Sequence, residues 1–125
     1  PALPPPEPPT ETAVVVQPNV SEDQQWTPVS AELMRERLIT LSLESAVHWH
    51  PRIILWPETP GPIYYYRDAA LRQAVTDLTR VTNAYLLFGT VSETPQGAPL
   101  NSAVLLRPDG GLVDRYDKIN LVPFG

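Results

Sequence analysis

This sequence predicts an α/β layer fold, a mixed sheet with helices packed on it, and three observations carry the prediction. Short β-branched or apolar segments alternate with longer segments whose apolar residues recur at helical spacing. The last third abandons that alternation for two strand-like segments joined by a turn rich in proline and glycine. The 125 residues are 42% hydrophobic, enough to build the core of one small domain or of part of a larger one.

The elements follow in order. Residues 1–12, PALPPPEPPTET, hold six prolines in the first nine positions. Proline fixes φ and lacks the amide donor, so this is an extended linker that cannot enter a sheet interior. The folded unit is expected over 13–125. Its first strand is AVVVQ (13–17), β-branched and uninterrupted, as in a strand covered on both faces. The loop PNVSEDQQWTP leads to a helix over 28–47. Thr27 or Ser30 can cap it, Pro28 suits a first turn, and Leu33, Arg37, Leu38, Leu41 and Ser45 follow helical spacing. Met34, Leu38 and Leu41 belong to its apolar stripe. Pro51 prevents continuation, and RIILW (52–56) is the second strand. After the loop PETPGPIYYY, residues 67–83 form a second helix with Leu71, Ala74, Val75, Leu78 and Val81 on one face. AYLLFGTV (84–91) is the third strand. NSAVLLR (101–107) and GLVDRY (111–116) then make a β-hairpin about Pro108, Asp109, Gly110 and Gly111. There is no internal repeat.

Composition removes several function classes. The net charge is −5 and the nine basic residues are scattered, which argues against nucleic acid as a partner. With no cysteine, these residues hold neither a disulfide, nor a thiolate metal site, nor a cysteine nucleophile. No apolar run approaches the roughly 20 residues of a membrane-spanning helix. The chain opens on Pro1 rather than methionine and finishes at NLVPFG, so the expectation is a segment of a longer protein.

Two residues stand where chemistry is expected. In open α/β sheets ligands gather at the carboxyl ends of strands, and Glu58 lies just past such an end, in a backbone restricted by Pro57. A carboxylate beside the indole of Trp56 is partly desolvated, which disfavours its charged form and moves its pKa toward the range useful to a general base. A solvated loop glutamate is the alternative. Lys118 follows a strand and precedes an apolar loop, so it could be drawn inward as a fixed positive charge; a lysine in such a place is more often solvated.

WPET after a buried strand, LLFG on the next, NSAVLL followed by PDG, and DRYDKINLVPFG, in this order, resemble the carbon–nitrogen hydrolase (nitrilase) superfamily. Within it they look like the apolipoprotein N-acyltransferase branch. Most superfamily relatives follow the tyrosine and lysine with a histidine and leucine, whereas the LVPFG continuation here is similar to that branch. VVVQPNVSEDQQW likewise resembles its first strand and loop, including Trp26. The resemblance covers about residues 13–125. It implies an α-β-β-α sandwich of which these residues are the N-terminal half, and a Glu, Lys, Cys triad. Glu58 takes the general-base place, Lys118 the oxyanion-stabilising place, and the nucleophilic cysteine has no counterpart here, so these residues alone are expected to be inactive. Trp26 takes a substrate-binding place, with the edge of the core as the alternative. No cofactor is implied.

The activity implied is transfer of a fatty acyl group from a membrane phospholipid, through a cysteine thioester, to the N-terminal diacylglyceryl-cysteine of apolipoproteins. It also implies a domain facing the periplasm at the bacterial inner membrane, carried by transmembrane helices outside these residues. The proline-rich start suits such a tether or any interdomain linker. A soluble amidase of the same superfamily and a non-catalytic α/β binding module are the alternatives.

Other residues carry less. IYYY (63–66) could face lipid or pack over the sheet. His48 and His50 flank Trp49 at a helix end, without a third ligand nearby, and read as structural rather than as a metal pair. Asn101 and Gly89 match family positions; Asn101 suits a turn or a sheet-edge hydrogen bond and Gly89 a close backbone approach.

Overall fold

The computed structural model describes residues 11–19, 25–57 and 63–118. Within them the elements are β1 (Ala13–Val15), α1 (Pro28–Trp49), β2 (Ile53–Leu55), α2 (Ala69–Thr82), β3 (Tyr85–Glu93), β4 (Pro99–Leu106) and β5 (Leu112–Asp117). Most of the proline-rich segment, Glu58 and the stretch 119–125 lie outside the described residues. Thr12 already accepts a hydrogen bond from Arg52 N–H, so pairing begins one residue ahead of β1.

Local chemistry sets the helix ends. Thr27 caps α1 in a reciprocal box with Ser30: each side chain accepts from the other's backbone N–H, and Pro28 occupies the first turn. The helix runs two residues beyond the predicted Val47, to Trp49. It stops where His50 turns left-handed at φ 46° and donates its N–H to Ala46, with Pro51 next. The second helix starts at Ala69 instead of 67 because Asp68 is the cap, its carboxylate accepting from Leu71 N–H; Asn83 ends it in the left-handed region.

The sheet order is β1-β2-β3-β4-β5, with β1, β2 and β3 parallel and β3, β4 and β5 antiparallel. The predicted hairpin is β4–β5, but β3 and β4 also form one, paired from Leu86–Leu106 to Glu93–Pro99. Its turn closes through Thr94 N–H to Ala98, with Gly97 at φ 86°. At the other turn Gly110, at φ 88°, lies against Thr76 of α2 so closely that a Cβ would collide with the threonine γ-methyl.

Right-handed crossovers between parallel neighbours put both helices on one side of the sheet. Leu38, Ile54, Leu71, Val75, Leu78, Leu86, Phe88, Val104 and Leu106 form one buried cluster there. Two apolar residues noted at helical spacing are not in it: Leu33 is 59% and Val81 74% exposed. The helix faces that meet the sheet run through Met34, Leu38, Ser42 and Ala46, and through Leu71, Val75, Leu78 and Thr79, so Leu33 and Val81 fall on the flanks. Among the described residues no layer covers the opposite side, where Ile53, Leu55, Leu87 and Leu105 are half-buried. Among the described residues the first strand is therefore covered on one face only. β1 is the sheet edge, and Val15 on its open side is 56% exposed. One sheet with one helical layer is the half-sandwich of a nitrilase-like α/β fold.

Candidate active site

The chain reaches Glu58 from a fixed tryptophan. Trp56 N–H continues the β2 pairing to Leu87 C=O at 2.9 Å, and the indole turns to the helix side, buried against Phe88 with ring centroids 5.7 Å apart. Its Nε1–H donates to Ser42 Oγ at 2.9 Å, and Ser42 in turn donates to Leu38 C=O at 2.7 Å. This is how a tryptophan with a polar atom is buried without an unpaired donor. Glu58 itself lies outside the described residues.

The chain returns at Ile63, also pinned. Its carbonyl accepts from Val91 N–H at 2.8 Å and from Thr90 Oγ1–H at 2.7 Å, while Thr90 Oγ1 accepts from Tyr65 N–H at 2.9 Å. Residues 63–65 thereby take the place alongside β3 that β2 vacates. Of the IYYY segment, Ile63 is buried and Tyr65 packs on Phe88, its phenol pushed above its ordinary pKa by burial. Tyr64 and Tyr66 are 43% and 39% exposed. Packing over the sheet therefore accounts for half of this segment.

Lys118 leaves the end of β5. Its backbone N–H donates to Asn101 C=O at 2.8 Å and the residue is exposed. Leu55, Leu87, Leu105 and Asp114 make one row across the sheet. Since β4 is antiparallel to both its neighbours, β5 runs parallel to β2. The segments leading to Glu58 and Lys118 consequently leave the sheet at the same edge, three and four residues beyond that row.

At this edge the buried side of the sheet turns polar. Ser102 Oγ donates to Asp117 Oδ1 at 2.6 Å and lies 2.5 Å from Ser92 Oγ; Arg115 Nη2 reaches Ser92 Oγ at 2.9 Å and Arg115 Nε reaches Asp117 Oδ1 at 2.7 Å. The proton directions follow from the inventory of donors. The Ser102 hydrogen goes to the carboxylate, so Ser92 donates to Ser102 and its lone pair faces Arg115. The four side chains close a ring. Arg115 also lies over the Tyr66 ring, 4.9 Å from its centroid. The guanidinium and then the Ser102 hydroxyl hold the Asp117 carboxyl below its ordinary pKa.

Two cavities border residues 63–67. One, about 300 Å³, has Met34, Leu38, Trp56, Ile63 and Leu71 in its wall and Arg35 and Asp68, an ion pair at 3.1 Å, at its polar side. The other, about 480 Å³, lies between Tyr64, Tyr66 and Arg67 on one side and Ser92, Glu93 and Arg115 on the other. Trp26 is half-buried and packs against the hydrophobic cluster just ahead of the α1 cap. Asn101 lends its carbonyl to Lys118, and Gly89 pairs with Ala103 in the β3–β4 ladder. His50 is the α1 cap and His48 meets Trp49 edge-on. Among the described residues no cluster of three or more His, Asp or Glu could hold a metal ion, and no helix is long and apolar enough to cross a membrane.

Ser42, Ser92, Ser102 and Asp117 were not singled out from the sequence. A signal existed for two of them. Ser92 and Ser102 keep the alternation of Phe88 and Val104, which puts a hydroxyl on the buried side of two strands.

Comparison with known proteins agrees with this architecture. The carbon-nitrogen hydrolase family matches residues 13–125. The chain is 29% identical over 114 residues to the apolipoprotein N-acyltransferase of Geobacter metallireducens, covering 89% of this chain and 22% of that protein. It is 30% identical over 132 residues to that of Allorhizobium ampelinum, covering 99% and 25%. The chain thus spans about a quarter of the length of these relatives. Among solved structures, an N-terminal amidase superposes with a TM-score of 0.61 at 22% identity, over 86% of this chain and 28% of that one. An amidase from Nesterenkonia sp. gives 0.57 at 16% identity, over 75% and 39%. These two establish likeness of fold. With a parallel β-α-β-α-β unit running into a meander, and with the family match extending from β1 to the last residue, this chain belongs to the carbon-nitrogen hydrolase family.

Proposed function

We propose that these residues are the N-terminal part of the catalytic domain of an apolipoprotein N-acyltransferase. The observation that carries the reading is the match of 89–99% of the chain to curated proteins of that name. In the intact protein Glu58 is the general base and Lys118 the cation of the oxyanion site. A cysteine from outside these residues supplies the thiol. Glu58 removes the thiol proton, and the thiolate attacks the ester carbonyl of a membrane phospholipid. Lys118 and backbone donors hold the tetrahedral oxyanion. The proton passes from Glu58 to the departing alkoxide of the lysophospholipid, leaving an acyl thioester. The α-amino group of a diacylglyceryl-cysteine apolipoprotein then attacks that thioester, forming the amide and returning the thiol.

The common edge reached by β2 and β5 supports the shared roles of Glu58 and Lys118. Three interstrand spacings, roughly 14 Å, separate the two strands, so the reactive centre is proposed to lie between them, over the ends of β3 and β4. Trp26, beside the apolar cluster, is proposed to line the acyl site. The domain is proposed to face the periplasm at the inner membrane, held by helices outside these residues. No cofactor is required. The amidase reading rests on the breadth of the family and on likeness of fold.

Acyl-thioester formation in the intact enzyme is the test. Glu58→Ala and Lys118→Ala should each reduce it by at least about a hundredfold, the scale of losing one oxyanion donor, without loss of the folded domain. Thioester accumulating at the normal rate in either folded variant would refute the assigned role.

A further inference from the structure

We infer that Asp117 is a positioning residue, which sets the direction of the Lys118 side chain through the closed ring it forms with Arg115, Ser92 and Ser102. The inference rests on the oxyanion role proposed for Lys118. Asp117 is the last residue of β5, and Lys118 follows it directly. Alternation along the strand sends Arg115 and Asp117 to the helix side and Tyr116 and Lys118 to the other. A carboxylate at this position would ordinarily project into water and leave the strand end free to fray. Here the carboxylate stays 45% exposed but is tethered by Ser102 Oγ at 2.6 Å and Arg115 Nε at 2.7 Å. Ser102 and Ser92 are 4% and 2% exposed, so the ring is rooted in the sheet interior.

The backbone is fixed on its other side as well. Lys118 N–H is bonded to Asn101, one residue from Ser102, so the final peptide of the strand is clamped by its side chain and by its main chain. Arg115 extends the frame further by lying over Tyr66, three residues past the pinned Ile63. One ring therefore ties the strand that delivers Lys118 to the segment that follows Glu58. Three of the four contacts in the ring involve an ionised group, and each restrains its neighbours, which makes the ring a stiff support. Its effect on catalysis passes through the placement of Lys118, where a shift of about 1 Å can cost up to a hundredfold in rate.

The experiment is single-turnover thioester formation by the intact, membrane-embedded enzyme with a phospholipid donor. Asp117→Ala should lower the maximal rate on the order of tenfold, with half-saturation by phospholipid unchanged. Asp117→Asn, which keeps an oxygen for both donors, should recover most of that rate. In a Lys118→Ala background Asp117→Ala should cause no further loss, as expected for a residue acting through Lys118. If Asp117→Ala fails to fold, Ser102→Ala opens the ring with a smaller change and should lower the rate several-fold. A normal rate in folded Asp117→Ala, or in Ser102→Ala where the first does not fold, overturns the inference while leaving the role of Lys118 intact. A full additional loss in the Lys118→Ala background also overturns it. A normal rate in Lys118→Ala overturns the oxyanion role, and the positioning role with it.

Discussion

The parallel half of the sheet and its antiparallel half bury different things. From β1 to β3, α1 and α2 pack Leu38, Ile54, Leu71 and Val75 into a core whose indole donor, Trp56 Nε1, is matched by the single hydroxyl of Ser42. From β3 to β5 the buried side begins with Phe88, Val104 and Leu106 and ends with Thr90, Ser92 and Ser102. Apolar burial is non-directional and gives a tolerant scaffold, whereas hydrogen bonds fix distances and angles. The apolar half is the body that holds the sheet together. The polar end lies at the edge from which the segments leading to Glu58 and Lys118 depart, where placement matters more than cohesion.

Three measurements break or sharpen this contrast. The largest effect is expected for Leu38→Ala. A fully buried leucine at the centre of the apolar half should cost about 2–5 kcal/mol in urea unfolding of the intact protein. A loss no greater than that from Ser92→Ala would erase the distinction between the halves. Ser42→Ala comes next: it strands the Trp56 indole N–H in an apolar surrounding, an expected loss of about 1–3 kcal/mol with a changed tryptophan emission. Unaltered stability there would mean that the indole finds another acceptor.

The smallest effect is the acid response of the polar end. The Asp117 carboxyl is held below its unfolded value by Arg115 and Ser102, so the stability it adds is present above the unfolded pKa of about 3.9 and is lost as pH falls through the lower folded value. The stability difference between the wild type and Asp117→Asn should be constant from about pH 7 to pH 5 and should shrink below about pH 4. A difference that grows on acidification would reverse the sign and place the carboxyl in an unfavourable field.

Much of the scaffold was legible because it rests on local rules. Capping at Thr27, termination near Pro51 and the turn at Asp109–Gly111 each depend on residues within a few positions of one another. The β3–β4 hairpin was missed although Pro95 and Gly97 mark its turn, because the strand pattern on either side reads equally well as separate segments. The α1 stripe named from the sequence, Met34, Leu38 and Leu41, meets the core, whereas Val81, expected on the apolar face of α2, falls on its flank because spacing by three and four residues sets the angular position only coarsely.

The candidate site was legible differently. Glu58 and Lys118 stand out by their places after strands, and their proposed roles, like that of Trp26, come from resemblance of motifs, which suggests chemistry without distances. The ring of Arg115, Ser92, Ser102 and Asp117 has no such mark, since its members come from three strands and its partners are up to 23 residues apart.

The sequence alone determined the order of strands and helices, their bounds to within about two residues and the family to which they belong, because periodicity, capping and turn chemistry act over short stretches of chain. Only the tertiary structure decided that β2 and β5 run the same way and leave at one edge. It alone set which side of the sheet the helices cover, and that an arginine and an aspartate two residues apart close through two buried serines. Those outcomes depend on strand pairing across the sheet, where contact is set by neighbours in space rather than neighbours in sequence.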